Sequence, residues 1–169
     1  MTVPGVRAVV ALGSNIPPRR RHLEEGVRRL GAIEGCAVEA CSRVYETAPV
    51  GGPPQGAYLN AAVALRTALP PAALLQALLG VEAALGRRRG VPNGPRTLDL
   101  DLIFYGDRVI RAPGLSVPHP RFRERGFVLH PLGDIIPRFP DPETGRTVEE
   151  LLRALPPGRD GVLRVRGRL

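Results

Sequence analysis

The chain has no tryptophan, no lysine, one methionine and two cysteines among 169 residues, and aromatic residues make up only 4% of it. Two cysteines cannot build a disulfide framework or a cysteine-rich zinc site. Cys36 and Cys41 are separated by an odd offset, which on a regular strand puts them on opposite faces. An RNA-binding sheet of the kind that stacks bases on exposed aromatics needs more rings than this, and no RNP1-like run is present. Long apolar runs are also missing. The longest candidate, residues 70–86, carries Gln76 and Glu82, and the run at 8–12 is too short for a secretory h-region. Neither GxxxxGK[ST] nor GxGxxG occurs, so P-loop and Rossmann readings are excluded. These absences point to a cytoplasmic protein that binds neither membrane nor nucleic acid.

Of the residues, 43% are apolar, and no internal repeat or long linker divides the chain, so residues 1–169 read as one domain able to bury a core without staples. The net charge is +8, and all 24 basic residues are arginine. Arginine favours planar, bidentate partners such as phosphate and carboxylate. The accompanying wealth of Ala, Gly and Pro is also what GC-rich coding produces, so charge alone assigns no partner.

Local patterns supply an element order. Residues 7–13 form an apolar run ending at Gly13-Ser14-Asn15, a strand feeding a turn. Pro17 and Pro18 suit the start of a helix with Leu23, Val27 and Leu30 on one face, Glu24 and Glu25 early, and Arg28 and Arg29 late. Residues 37–45 alternate as a single half-buried strand, a Pro/Gly-rich loop follows, and residues 59–65 alternate again. Pro70-Pro71 opens an apolar helix closed by Gly86. Residues 98–105 form a strand, with Gly106-Asp107 as a hairpin turn into 108–111. The remainder reads as irregular until Thr147-Val148-Glu149-Glu150, a capping box. Strand, helix, strand, strand, helix, strand is the order of a ferredoxin-like α+β sandwich with a mainly antiparallel sheet and flanking helices. That fold serves enzymes and RNA binders alike.

The sharpest local signal is Leu98-Asp99-Leu100-Asp101-Leu102. On a strand the two aspartates share a face about 6.5 to 7 Å apart, with the leucines on the other. Such a pair can hold Mg²⁺ ions that take further ligands from water and phosphate, or it can be a solvated acidic face. Arg87, Arg88, Arg89 and Arg96 precede it on a Gly/Pro loop, and arginines beside magnesium carboxylates make a polyphosphate clamp.

The motif Gly94-Pro95-Arg96-Thr97-Leu98-Asp99-Leu100-Asp101 resembles that of the 6-hydroxymethyl-7,8-dihydropterin pyrophosphokinases. Around it stand Ala11-Leu12-Gly13-Ser14-Asn15, Tyr58-Leu59-Asn60-Ala61-Ala62, Val117-Pro118-His119 and Arg125-Gly126-Phe127, in the family's order. The resemblance implies a ferredoxin-like enzyme that transfers pyrophosphate from MgATP to the pterin hydroxymethyl group, releasing AMP; a monomer is expected. It implies that Asp99 and Asp101 are ligands of two Mg²⁺ ions and, with Arg87 and Arg89, catalytic. It assigns Glu82, Arg87, Arg89, Arg96, His119 and Arg125 to nucleotide and phosphate contacts, and Leu102 and Ser116 to the neighbourhood of adenine. Thr47, Pro49, Val50, Tyr58, Asn60 and Phe127 match the pterin pocket. A flat heterocycle wants aromatic faces and an amide that both donates and accepts, which Tyr58, Phe127 and Asn60 supply. Asn93 and Pro120 depart from the residues common in the family. Between two prolines, His119 reads as a fixed donor to phosphate rather than a base, and His22 as solvated. The loop 86–96 is expected to move in the free enzyme and close on substrates.

Overall fold

The computed structural model describes residues 5–49, 52–86, 94–156 and 161–169. Val50 and the arginines at 87 to 89 lie outside these, as does most of the loop expected to close on substrates.

Strand β1 (Val6–Ser14) is the apolar run, and its inward residues are Ala8, Val10 and Leu12 on one face and Val9 and Ala11 on the other. Helix α1 (Arg19–Gly31) follows, with Leu23, Gly26 and Leu30 buried. Its first turn holds arginine instead of the expected acid, while Arg28 and Arg29 close it as the helix dipole favours. The alternating segment is two strands, β2 (Cys36–Cys41) and β3 (Arg43–Thr47), rather than one. Ser42 breaks it. Its amide donates to Ala62 O at 2.9 Å, and its hydroxyl accepts from the Ala62 amide at 2.8 Å.

Both β2 and β3 pair antiparallel with β4 (Tyr58–Thr67), and β2 carries an extra residue between Val38 and Ala40. That bulge reverses strand parity. Cys36 and Cys41 therefore approach the same core cluster, against the expectation of opposite faces. Helix α2 (Pro71–Ala84) covers this face with Leu74, Leu78 and Val81. Strand β5 (Asp99–Tyr105) pairs with β1, and its own bulge lets Ile103 and Phe104 both reach the second face.

Gly106 and Asp107 do not make the expected hairpin on β5. The Gly106 amide bonds back to Arg7 O, and the chain leaves to form a separate pair, β6 (Ile110–Ala112) with β7 (Leu115–Val117). The stretch expected to be irregular holds a short 3₁₀ turn, Phe122–Glu124, and helix α3 (Gly126–Ile135). Helix α4 (Val148–Arg153) starts where the capping box predicts, with Thr147 accepting from the Glu150 amide. Strand β8 (Val162–Arg168) ends the chain beside β3.

The main sheet runs β5-β1-β4-β3-β8, with β2 also on β4, and every pairing in it is antiparallel. The expected α+β sandwich is present. It gains a third layer, because α3 and α4 cover the face opposite α1 and α2. No helix among the described residues is long and apolar enough to cross a membrane.

Candidate active site

The site grows from strand register. Gly13 on β1 sits opposite Asn60 on β4 and Asp99 on β5, and one step further along Ala11 sits opposite Ala62 and Asp101. Directly opposed residues of an antiparallel sheet share a face. Asn60, Gly13 and Asp99 thus form one row on the α3 side, and Ala62, Ala11 and Asp101 the next. Neighbouring strands are about 4.8 Å apart, so Asn60 and Asp99 stand about 10 Å from each other across a floor of glycine and alanine. That floor must stay small. A Cβ on Gly13 would come to 2.9 Å from Asn60 Oδ1 and 3.5 Å from the Tyr58 ring.

The expected alternation around the aspartates is what the strand adopts. Leu98, Leu100 and Leu102 are buried in the α1/α2 core, and Asp99 and Asp101 are half-buried on the other face. Arg96 Nη1 lies 3.1 Å from Asp99 Oδ1. Two alternate carboxylates with hard oxygen donors suit Mg²⁺, which keeps waters and takes phosphate oxygens instead of needing an all-protein cage. Among the described residues no group of three or more His, Cys, Asp or Glu forms a metal cage.

His119 follows β7 along the outer edge of β5, its amide donating to Ile103 O at 3.0 Å. The Arg121 amide donates to Nδ1 at 3.1 Å, which leaves Nε2 as the position of the ring proton in the neutral form. Burial, reinforced by Arg125 and opposed by Asp99, pushes the imidazole pKa down to about 4. At neutral pH the ring is uncharged, a fixed donor with a weak appetite for protons. Arg125 stands before α3 with its guanidinium 5.6 Å from the centroid of the half-buried Phe127 ring.

On the other side of the cleft, Asn60 is only 6% exposed and its amide donates to Thr47 Oγ1 at 2.5 Å. Tyr58 is half-buried, and its hydroxyl donates to Gly94 O at 3.3 Å. Pro49 lies just beyond β3. The structure therefore gathers Thr47, Tyr58, Asn60, Arg96, Asp99 and Asp101 around one floor.

Three residues expected at the site are placed differently from these. Leu102 points its side chain into the core behind the aspartates. Glu82 is 2% exposed and accepts from the Leu100 amide at 2.9 Å, so it caps the outer edge of β5. Ser116 lies on β7 opposite Arg111, within the small sheet that flanks β5. His22, expected in solvent, is half-buried with Nδ1 3.4 Å from Ser14 Oγ.

Asn15 is the residue that sequence reasoning missed. Its amide nitrogen donates to Gln55 Oε1 at 2.7 Å and to Gly56 O, while its Oδ1 accepts from the Arg96 amide at 2.8 Å. One buried side chain thus ties Gln55 and Gly56 to Arg96, just before the strand that carries the aspartates. The signal was an Asn at a strand end, a residue type that readily bonds nearby backbone.

An antiparallel α+β sandwich with carboxylates and arginine at one end of a cleft, and an amide and a tyrosine at the other, defines a class suited to joining a phosphate-rich donor to a small polar heterocycle. The family model for 7,8-dihydro-6-hydroxymethylpterin-pyrophosphokinase matches residues 9–137, and the chain belongs to that family. It is similar to the 2-amino-4-hydroxy-6-hydroxymethyldihydropteridine pyrophosphokinase of Synechocystis sp., at 47% identity over 86% of this chain and 74% of the relative. The enzyme of that name from Pseudomonas aeruginosa is 40% identical over 89% of this chain and 92% of its own length. In fold, the chain resembles Plasmodium falciparum HPPK-DHPS solved with pterin and p-hydroxybenzoate, with a TM-score of 0.69 at 15% identity. The match covers 88% of this chain and 41% of that longer one.

Proposed function

We propose that the chain transfers the pyrophosphate group of MgATP to the hydroxymethyl group of 6-hydroxymethyl-7,8-dihydropterin, releasing AMP, as a step in folate biosynthesis. The observation that carries the residue-level reading is the register row Asn60, Gly13, Asp99. It supports the reading because it sets the Asn60 amide and the Asp99 carboxylate on one floor, about two strand spacings apart.

In this reading the pterin lies against Tyr58 and Phe127, with Asn60 and the Thr47 hydroxyl meeting its polar edge and Pro49 beside them; Val50, outside the described residues, belongs to the same proposed set. The hydroxymethyl oxygen attacks the β-phosphorus, the bond from that phosphorus to the α–β bridging oxygen breaks, AMP departs with that oxygen, and the hydroxyl proton passes to solvent. Transfer of this type depends on positioning and charge neutralisation, so no dedicated base is needed. Asp99 and Asp101 would hold two Mg²⁺ ions, which when bound supply charge neutralisation along the polyphosphate and lower the hydroxyl pKa. Arg96, Arg125 and neutral His119 donate to phosphate oxygens, and Arg87 and Arg89, outside the described residues, would add further positive charge. Glu82 acts through the β5 edge it caps, and Leu102 on β5 and Ser116 on β7 belong to the adenine side.

Incubation with MgATP and the reduced pterin tests the reaction. Stoichiometric AMP and pterin pyrophosphate are expected, and formation of ADP would overturn it. Calorimetry with Asn60→Ala tests the placement: pterin affinity should fall far more than that for a MgATP analogue, and equal losses would contradict it.

A further inference from the structure

Strand β8 lies outside the matched residues 9–137 and, among the described strands, pairs with β3 alone, yet it reaches the site through a short chain of contacts. It pairs with the outer edge of β3, setting Val162 opposite Thr47 and Val165 opposite Tyr45. Just beyond that pairing, the Ala48 amide donates to Gly161 O at 2.9 Å. Thr47 is the residue that receives the Asn60 amide, so β8 braces the strand end on which the pterin side of the cleft is hung.

Glu46 fastens this edge. It points to the face opposite Thr47 and accepts from Arg164 Nε at 2.9 Å and Arg166 Nη2 at 3.3 Å, both on β8. Arg19 at the start of α1 completes the node, with Nη2 2.8 Å from Glu46 Oε2 and Nη1 donating to Ala57 O at 3.0 Å. One carboxylate therefore links β8, β3, α1 and the residue before Tyr58. From α1, Arg20 holds β8 as well, donating to Arg166 O and Arg168 O at 3.0 and 2.6 Å.

We propose that β8 is a positioning element for the pterin pocket, acting through the Glu46–Arg164–Arg166–Arg19 node to fix Thr47 and the backbone on both sides of the 48–57 loop. None of these four side chains contacts substrate in this scheme. The inference rests on the reading of Thr47, Tyr58 and Asn60 as pterin residues. An element that sets the geometry of one binding wall should change recognition of that ligand alone.

The test uses the full chain with Arg164→Ala and Arg166→Ala combined. KM for the pterin should rise about tenfold, with KM for MgATP and kcat within about twofold, because the phosphate side hangs from β5 and β1. Replacing both arginines by lysine, which keeps charge but loses the planar fork, should restore part of the loss. Hydrogen exchange at the Ala48 amide should quicken in the alanine variant. Should the double variant not fold, Glu46→Gln removes the charge at constant shape and carries the same expectation. Equal rises in both KM values, or no change in either, would overturn the proposal. Asn60→Ala separates the two levels: if it weakens pterin binding while the arginine variant does not, only the role of β8 fails. If Asn60→Ala leaves pterin binding intact, the pocket is misplaced and the role of β8 falls with it.

Discussion

Glu46 on β3 meets Arg19 at 2.8 Å, and Asp99 on β5 meets Arg96 at 3.1 Å, yet the two carboxylates sit in different kinds of place. The Glu46 side chain is 10% exposed and three arginines from α1 and β8 converge on it, so its charge is over-matched within the protein itself. The Asp99 side chain is 22% exposed, and Asp101 follows it on the same open face. At Glu46 the partners are distant in sequence and tie elements together. At Asp99 the arginine is three residues away in sequence, so this contact spans only a short length of chain. An acid–arginine contact is therefore structural or chemical according to what its geometry connects and how much of it faces a cleft, and the contact distance does not discriminate.

The strongest way to break this comparison is to remove one carboxylate from each site and read both activity and stability. Asp101→Ala should lower kcat by at least about 10²-fold, the scale of losing a preorganised electrostatic group, while leaving the melting temperature near wild type. A near-normal rate at moderate Mg²⁺ would place the metal elsewhere. Glu46→Ala should do the reverse. Its arginines are between 24% and 59% exposed, so the cost lies between that of a surface pair and that of a broken buried pair, about 2 kcal/mol in chemical denaturation. Loss of catalysis without loss of stability in Glu46→Ala would erase the distinction.

A smaller effect sharpens the cleft itself. Gly13→Ala places a methyl 2.9 Å from Asn60 Oδ1, so the Asn60 amide must shift from the position it holds beside Thr47. We expect pterin affinity to drop about tenfold by calorimetry and MgATP affinity to hold, since a displaced buried hydrogen-bonding group costs roughly 1–2 kcal/mol. Unchanged pterin binding would show that the Asn60 side chain is not read by the ligand.

Much of this contrast could be read from the sequence on one side and little on the other. Asp99 and Asp101 were visible because the period of two and their leucine partners are local, and Gly13-Ser14-Asn15 marked the strand end beside them. Glu46 gave no signal, because its partners Arg164 and Arg166 stand more than a hundred residues away and β8 is held by pairing with β3, not by pattern. Helix α3 escaped for a related reason. It begins at Gly126 and contains Pro131, both poor helix residues, and it survives because Val128, Leu129 and Leu132 bury against the sheet. Register errors had a third cause, since the bulges in β2 and β5 reverse parity where composition shows only alternation.

The finest test uses pH. The arginines around Glu46, Arg19 first, hold its carboxyl at about 2 against an ordinary value of 4.5. With the folded pKa below the unfolded one, the unfolded chain takes up a proton first on acidification. The stability from this group is therefore fully present above about 4.5 and drains away as pH falls toward 2. Glu25 on α1 is lowered to about 2 as well, chiefly by Arg28, so wild-type acid denaturation alone cannot assign the effect. The difference between wild type and Glu46→Gln can, because Glu25 is common to both. That difference in unfolding free energy should be constant from pH 7 to about 5 and shrink between about 4.5 and 2. If that difference stays flat down to about pH 2, the three arginines do not hold Glu46 ionised in the folded chain, and the node at Glu46 is no tighter than a surface pair.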